Sequence, residues 1–159
     1  MNKDSIKLQA GDKTPEFRLQ NTKGEHISLK DLLSQDPQVV LLFFPLAFSG
    51  TCTKELCTTR DNMKLYNSLN ANIVGISIDS FFTLKEFKKA ENLNFPLLSD
   101  FNKEASKAYG VLNHDFYGMR GVSKRSVFVI NSDGIIKYVE VLDDDDKLPD
   151  FEALHSALQ

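Results

Sequence analysis

The feature that most constrains the fold is an uninterrupted apolar run from Val39 to Phe44, which ends at Pro45. A strand with one solvent-facing side alternates apolar and polar residues. An unbroken run of this length is therefore typical of a strand that is buried on both faces. Such strands belong to sheets that carry helices on both sides. A second apolar stretch, within residues 72–79, predicts another buried strand.

The other segments alternate between extended and helical patterns. Apolar–polar alternation on either side of residues 21–24 predicts an N-terminal hairpin, and Ser-Asp-Gly at 132–134 predicts a hairpin of strands 125–131 and 135–141. Periodicity predicts helices over 29–33, 49–69, 83–91, 102–109 and 149–158, and a short strand over 96–98. This order predicts a single α/β domain over residues 1–159. It is the layout of a thioredoxin-like fold, a central mixed sheet flanked by helices, with an N-terminal β-hairpin extension.

Composition excludes several classes of function. The chain has 159 residues, a net charge of -3 and 26% charged residues, which gives no basic surface for nucleic acid. No apolar run approaches the ~20 residues that cross a bilayer, and residues 1–5 lack the apolar stretch of a signal peptide. We therefore expect a cytoplasmic protein without membrane or nucleic-acid partners. The three histidines are scattered and give no metal-ligand spacing with the two cysteines, so we expect no metal and no cofactor.

Cys52 follows the turn that joins the first buried strand to a helix beginning near Gly50. Binding sites in open α/β sheets lie at such carboxyl ends of strands. In the first turn of a helix, free N–H groups and the positive end of the dipole favour a thiolate, and a neighbouring arginine adds to this effect. Two cysteines close together in a reducing compartment also indicate chemistry rather than a structural disulfide. The alternative for an isolated cysteine is a small apolar core residue.

Several separated segments match a known family in type and order. The pattern Pro45-x-x-x-Ser49-x-x-Cys52 resembles the peroxiredoxin signature Pro-x-x-x-Thr/Ser-x-x-Cys, with Ser49 where Thr is commoner. Residues 11–19 resemble the opening of the family, and residues 125–130 resemble the strand that carries its catalytic arginine. Residues 44–48, 95–100 and 108–111 most resemble the bacterial alkyl hydroperoxide reductase E subgroup. The resemblance runs from about Leu8 to the last helix.

The resemblance implies a thiol-dependent peroxidase that reduces hydrogen peroxide and organic hydroperoxides. In that reading Cys52 attacks the terminal peroxide oxygen and becomes a sulfenic acid. Ser49 hydrogen-bonds the peroxide, and Pro45 shields the thiol from solvent. Arg125 holds the thiolate and stabilises charge on the breaking O–O bond.

Two of the implied roles keep alternatives. The resemblance implies that Glu55, one helical turn after Cys52, braces Arg125. The alternative is that Glu55 is an exposed carboxylate on the helix surface. Arg120 is a second candidate for the catalytic arginine, although it precedes the predicted strand in a glycine-flanked loop.

Cys57 lies five residues after Cys52, which on an unbroken helix is about 7.5 Å of rise and about 140° of rotation. A disulfide needs closer Cα atoms, so the helix must unwind before the two sulfurs can join. Members of the Q (bacterioferritin comigratory protein) subgroup resemble this chain in that spacing, with the second cysteine as resolver. The alternative is a core thiol. The resemblance implies a thioredoxin-like or low-molecular-weight thiol as reductant.

Two other classes of protein share the predicted fold. A thioredoxin-type oxidoreductase needs a C-x-x-C pair, which is absent, and a binding module with a decayed site does not need the four signature positions together. Apolar residues at Phe48 and at Phe81-Phe82, in loops near the site, predict an interface, and the resemblance implies a homodimer. The run of four aspartates at 143–146 predicts a solvated acidic loop.

Overall fold

The computed structural model describes residues 7–159. Residues 1–5, which lack the apolar stretch of a signal peptide, lie outside the described residues. Among the described residues, no helix combines the length and the apolar composition that crossing a membrane requires.

Strands and helices alternate through the described chain as the sequence predicts. The strands are β1 (Arg18–Asn21), β2 (His26–Ser28), β3 (Gln38–Phe43), β4 (Ala71–Ser77), β5 (Leu97–Ser99), β6 (Leu112–Asn113), β7 (Val122–Ser123), β8 (Ser126–Asn131) and β9 (Ile136–Val141). The helices are α1 (Leu29–Leu33), α2 (Gly50–Asp61), α3 (Met63–Ser68), α4 (Phe81–Ala90), α5 (Glu104–Ala108) and α6 (Phe151–Leu158).

Seven of these strands form one mixed sheet, in the order β2-β1-β5-β4-β3-β8-β9. Strand β3 lies near its middle, parallel to β4 and antiparallel to β8. All six residues of β3 are buried, as its apolar run predicts. Alternate side chains of the run enter two different cores, Val40 and Leu42 on one face and Leu41 and Phe43 on the other. The sheet is therefore covered on both sides.

The two predicted hairpins are confirmed. Strands β1 and β2 pair antiparallel, and β1 extends the sheet by pairing with β5, so the N-terminal hairpin is an extension of the central sheet. Strands β8 and β9 form the late hairpin. The chain has the predicted thioredoxin-like architecture of a mixed sheet flanked by helices.

The prediction of one helix over residues 49–69 is wrong. The segment contains two helices, α2 and α3, which are separated at Asn62. The backbone of Asn62 leaves the helical region, with φ -103° and ψ 7°, and its side-chain amide donates to the carbonyl of Thr58 at 2.8 Å. Asparagine competes for backbone groups in this way, which explains the break. The two-residue strands β6 and β7 were also not predicted.

Candidate active site

The site lies where β3 ends and the chain turns into α2. Pro45 is buried at the start of this turn, and Phe48 has a positive φ of 70°, a strained backbone conformation for a residue other than glycine. Asp79, just beyond β4, holds the turn from the neighbouring strand. Its carboxylate oxygen Oδ2 accepts hydrogen bonds from the Ala47 N–H at 2.8 Å and from the Ser77 hydroxyl at 2.6 Å. Asp79 therefore fixes the loop that precedes the cysteine.

Cys52 is fully buried in the first turn of α2. The first helical hydrogen bond of α2 runs from the Thr53 N–H to the Ser49 carbonyl at 2.9 Å. The N–H groups of residues 50–52 precede that bond and have no acceptor one turn earlier in the helix. The first turn of α2 contains no acidic side chain. The positive end of the helix dipole therefore acts on Cys52 without a competing carboxylate in the same turn.

Arg125 reaches Cys52 because of the register of the sheet. It directly precedes β8, whose first residue, Ser126, pairs with Phe43 at the end of β3. Arg125 therefore emerges at the same edge as Cys52, and its Nη1 lies 3.3 Å from the Cys52 Sγ. The Arg125 side chain is only 1% exposed. Arg120, the second candidate, lies exposed on the preceding loop.

Glu55 is the second partner of this arginine. Nη1 of Arg125 donates to Glu55 Oε1 at 2.7 Å, and the Glu55 side chain is fully buried. The alternative of an exposed helix carboxylate is therefore wrong. Burial raises the pKa of Glu55 to about 7, although the charge of Arg125 and its hydrogen bond act in the opposite direction. Burial lowers the pKa of Arg125, but the charges of Glu55 and Cys52 outweigh it and the pKa is raised overall.

Two buried polar atoms of this pair have no hydrogen-bond partner within the described residues. They are Glu55 Oε2 and Arg125 Nε. Unpaired buried polar atoms cost free energy, so this pair is not arranged for stability alone. The unpaired oxygen also fits the raised pKa of Glu55, because one of its two carboxylate oxygens is desolvated without compensation.

Ser49 directly precedes α2, but its side chain makes no capping hydrogen bond to the first turn of the helix. Its hydroxyl donates to the Leu46 carbonyl at 2.8 Å. The hydroxyl oxygen keeps free lone pairs, which can accept a hydrogen bond from an incoming O–H group. The side chain is half-buried beside the turn. Pro45 and Ser49 thus lie on the loop that leads directly into the helical turn of Cys52.

Cys57 lies further along α2, and both cysteines are free thiols. Cys57 is half-buried, and its Sγ lies 3.5 Å from Glu91 Oε2. Burial raises the pKa of the Cys57 thiol, and the hydrogen bond to Glu91 raises it further, while Arg60 lowers it. Because the two cysteines share one continuous helix, their sulfurs cannot join while that helix is intact.

The acidic loop contributes a contact that the sequence did not predict. The backbone carbonyl of Asp145 accepts a hydrogen bond from Arg125 Nη2 at 2.9 Å. The Asp145 side chain accepts from Asn113 Nδ2 at 3.3 Å, and Asp146 accepts from the Tyr117 hydroxyl at 2.7 Å. Asp143, Asp144 and Asp146 are exposed, as predicted for a solvated acidic loop, whereas Asp145 is half-buried and its carbonyl binds Arg125. No sequence signal identifies a backbone carbonyl as a partner, because every residue has one.

Asp79 was also missed, but the sequence offered a signal for it. A polar residue directly after a buried strand lies at the edge of the sheet where sites form. Asp79 ends the predicted strand 72–79 and lies at the same edge as the turn after β3.

The chain is similar to several known proteins in sequence and in overall structure. A family model described as the AhpC/TSA family matches residues 10–139. A Mycobacterium tuberculosis (strain H37Rv) protein with peroxiredoxin in its name is 39% identical over 135 residues, which cover 83% of this chain and 84% of that protein. Peroxiredoxin Bcp of Escherichia coli K12 is 36% identical over 135 residues, which cover 83% of this chain and 85% of Bcp. The crystal structure of the peroxidoxin BcpB from Mycobacterium tuberculosis superposes with a TM-score of 0.85 at 32% identity, over 95% of this chain and 96% of that chain.

Proposed function

The chain belongs to the AhpC/TSA family of peroxiredoxins and is a thiol-dependent peroxidase, and we propose that Cys52 is its peroxide-reducing thiol. The observation that carries this proposal is the 3.3 Å contact between Arg125 Nη1 and Cys52 Sγ in the first turn of α2. A permanent cation and a helix N-terminus both favour the thiolate, which is the nucleophilic form of cysteine.

The chemical step transfers one oxygen atom. The Cys52 thiolate attacks the terminal oxygen of a hydroperoxide, an S–O bond forms, and the O–O bond breaks. Cys52 becomes a sulfenic acid, and the departing alkoxide or hydroxide takes up a proton to leave as alcohol or water. Arg125 stabilises the negative charge that moves from sulfur to the leaving oxygen. The substrates we propose are hydrogen peroxide and organic hydroperoxides.

The neighbouring residues position this reaction. Ser49 accepts a hydrogen bond from the peroxide O–H and helps to align it, and Pro45 fixes the turn because its φ is locked. Glu55 braces Arg125 through the 2.7 Å bond between Oε1 and Nη1. A bound hydroperoxide can form hydrogen bonds with the polar groups around Cys52. The unpaired Nε of Arg125 supports this proposal, because it indicates a side chain positioned to bind a ligand rather than to stabilise the fold.

We propose that Cys57 resolves the sulfenic acid. Its thiol attacks the Cys52 sulfur, a disulfide forms, the S–O bond breaks, and the oxygen leaves as water. This requires α2 to unwind. Three threonine hydroxyls of α2 donate to the carbonyl four residues earlier, Thr53 at 2.8 Å, Thr58 at 2.8 Å and Thr59 at 3.0 Å. Such bonds slightly weaken a helix, so they favour unwinding.

The remaining proposals concern the setting of the reaction. An exposed disulfide accepts electrons from a thioredoxin-like partner or from a low-molecular-weight thiol, and such reductants keep the cytoplasm reducing, where we place the protein. We also propose a homodimer that covers Phe48 and Phe82, which are 54% and 68% exposed, with Phe81 stacked on Phe82 at 4.1 Å between ring centroids.

Peptide mass mapping after one equivalent of peroxide tests the proposal. The reduced protein is oxidised, its remaining thiols are alkylated, and the modified peptides are identified. We expect a disulfide between Cys52 and Cys57 in the wild type and a sulfenic acid on Cys52 in Cys57→Ser. Oxidation that leaves Cys52 unmodified would contradict the assignment of the nucleophile. A Cys52 sulfenic acid that persists in the wild type would contradict only the resolving role.

A further inference from the structure

The two cysteines of α2 face opposite charges. Cys52 Sγ accepts a hydrogen bond from the guanidinium of Arg125 at 3.3 Å. Cys57 Sγ instead donates to a carboxylate, Glu91 Oε2, at 3.5 Å. A cation favours a thiolate, whereas an anion favours the neutral thiol. The same helix therefore presents one thiol in an activating environment and one in a suppressing environment.

Glu91 is held firmly enough to fill this role. It ends α4, where its backbone N–H donates to the carbonyls of Phe87 and Lys89. Its own carbonyl accepts a hydrogen bond from Arg60 Nη1 at 2.6 Å, so the end of α4 is tied to α2 one turn after Cys57. Asn94 adds a second link, because its Nδ2 donates to the Arg60 carbonyl at 3.3 Å. The backbone of Glu91 is thus fixed beside α2, and its carboxylate lies within hydrogen-bond distance of Cys57.

Other charged groups near Cys57 do not cancel the effect of Glu91. The groups that act on this thiol are Arg60 and Asp61 on α2 and Glu91 at the end of α4. Arg60 lowers the pKa of Cys57, but its guanidinium is also paired with Asp61, with 3.0 Å between Nε and Oδ1. Burial, Glu91 and Asp61 all raise the pKa, and the net direction is upward.

We propose that Glu91 is a positioning residue for Cys57: its carboxylate holds the Cys57 thiol protonated and bound to the end of α4 for as long as α2 is intact. While the contact persists, peroxide meets a single reactive thiol, because the thiol form of Cys57 is a poor nucleophile. The contact couples the reactivity of Cys57 to the folding of the helix that carries it.

The role of this contact in resolution rests on the proposed function of Cys57. When α2 unwinds after Cys52 is oxidised, Cys57 leaves the carboxylate, and its proton is lost more readily. The resulting thiolate attacks the Cys52 sulfur, the S–S bond forms, the S–O bond breaks, and the departing hydroxide takes up a proton to become water. Cys57 is thereby released for reaction only after Cys52 has reacted.

The test is the alkylation rate of Cys57 by iodoacetamide, measured against pH in a Cys52→Ser background so that one thiol is present. Glu91→Gln removes the charge and keeps the size of the side chain, and Glu91→Asp keeps the charge. Glu86→Gln is the matched control, since Glu86 lies exposed on α4, the helix that Glu91 caps. We expect Glu91→Gln to speed alkylation at neutral pH by about three- to tenfold, the size of one partly exposed charge interaction. The pH midpoint should fall, and Glu91→Asp should return towards the slow rate.

The same measurement in urea separates this role from a change in intrinsic reactivity. All variants should alkylate equally fast there, because unwinding removes Cys57 from Glu91. An unchanged rate and midpoint in folded Glu91→Gln, or an equal acceleration in Glu86→Gln, would overturn the proposal. Peptide mapping of wild-type protein after one equivalent of peroxide reports separately on resolution. A missing disulfide together with the expected alkylation pattern would contradict the resolving role of Cys57 and leave the Glu91 assignment standing.

Discussion

Cys52 and Glu55, one turn apart on α2, share a single nitrogen of Arg125: Nη1 lies 3.3 Å from Sγ and 2.7 Å from Oε1. The three groups are buried together. One cation therefore faces two acids in an environment of low polarity, where charges interact strongly. Arg125 is therefore the charged partner on which both groups depend.

Replacement of Arg125 should slow the reaction of Cys52 with peroxide. Arg125→Ala removes the cation 3.3 Å from Cys52 Sγ, so the negative charge that moves from sulfur to the leaving oxygen is no longer stabilised. Oxidation of Cys52 by peroxide should slow about 100- to 1000-fold, the usual cost of losing preorganised charge. Stopped-flow mixing with peroxide measures the rate. The control is Arg120→Ala, an exposed arginine, which should behave as wild type. Equal losses in the two variants would exclude a specific role for Arg125.

Replacement of Glu55 should change the pH dependence of stability. Because burial raises its pKa from 4.5 to about 7, the folded state binds this proton more tightly than the unfolded state does. The stabilising contribution is full below pH 4.5 and is lost as the pH rises to about 7. Urea unfolding across this range should show the wild type losing about 3 kcal/mol relative to Glu55→Gln. A wild type that instead loses stability relative to Glu55→Gln on acidification would reverse this account.

Removal of the Asp79 carboxylate should loosen the turn before Cys52. Asp79→Ala leaves the Ala47 N–H without its 2.8 Å partner, which should cost about 1–3 kcal/mol of stability and slow Cys52 oxidation. Asp79→Asn keeps an acceptor oxygen and should recover most of both. Thermal unfolding and stopped-flow oxidation give the two readouts. If Asp79→Asn is as slow as Asp79→Ala, the carboxylate acts through its charge and not by holding the turn.

Release of the acidic loop should weaken the hold on Arg125. Asn113→Ala removes the bond to the Asp145 side chain, whose carbonyl accepts from Arg125 Nη2. We expect the oxidation rate of Cys52 to fall several-fold, with little change in the unfolding free energy, because the lost bond lies near the surface. Asn102→Ala, an exposed asparagine on another loop, is the control. Equal rates for the two variants would mean that the loop does not position the arginine.

The fold was largely predictable because its strongest signals are local. The apolar run of β3 and the turn residues of the two hairpins determine their own structure. The break at Asn62 was not predictable from periodicity, since apolar spacing continues through it and the break depends on one side-chain bond to Thr58. Strands of two residues, such as β6, are too short to show any alternation.

The site was predictable to the extent that its residues lie in one segment or in one recognisable motif. Pro45, Ser49, Cys52 and Glu55 lie within eleven residues. The meeting of Arg125 with Cys52 depends on the pairing of β8 with β3 across 73 positions, which the resemblance supplied and the residues alone did not. The Asp145 carbonyl and Glu91 contacts depend on tertiary packing of loop and helix ends, for which no side-chain pattern exists.

The most direct test of the central claim compares peroxide consumption by Cys52→Ser and Cys57→Ser with wild type, with dithiothreitol as reductant. This small thiol reduces a sulfenic acid as well as a disulfide, so turnover does not require a resolving cysteine. We predict that Cys52→Ser consumes no peroxide above the protein-free rate while its circular dichroism stays that of the folded protein, and that Cys57→Ser retains turnover. Substantial turnover by folded Cys52→Ser would contradict the assignment of Cys52 as the peroxide-reducing thiol.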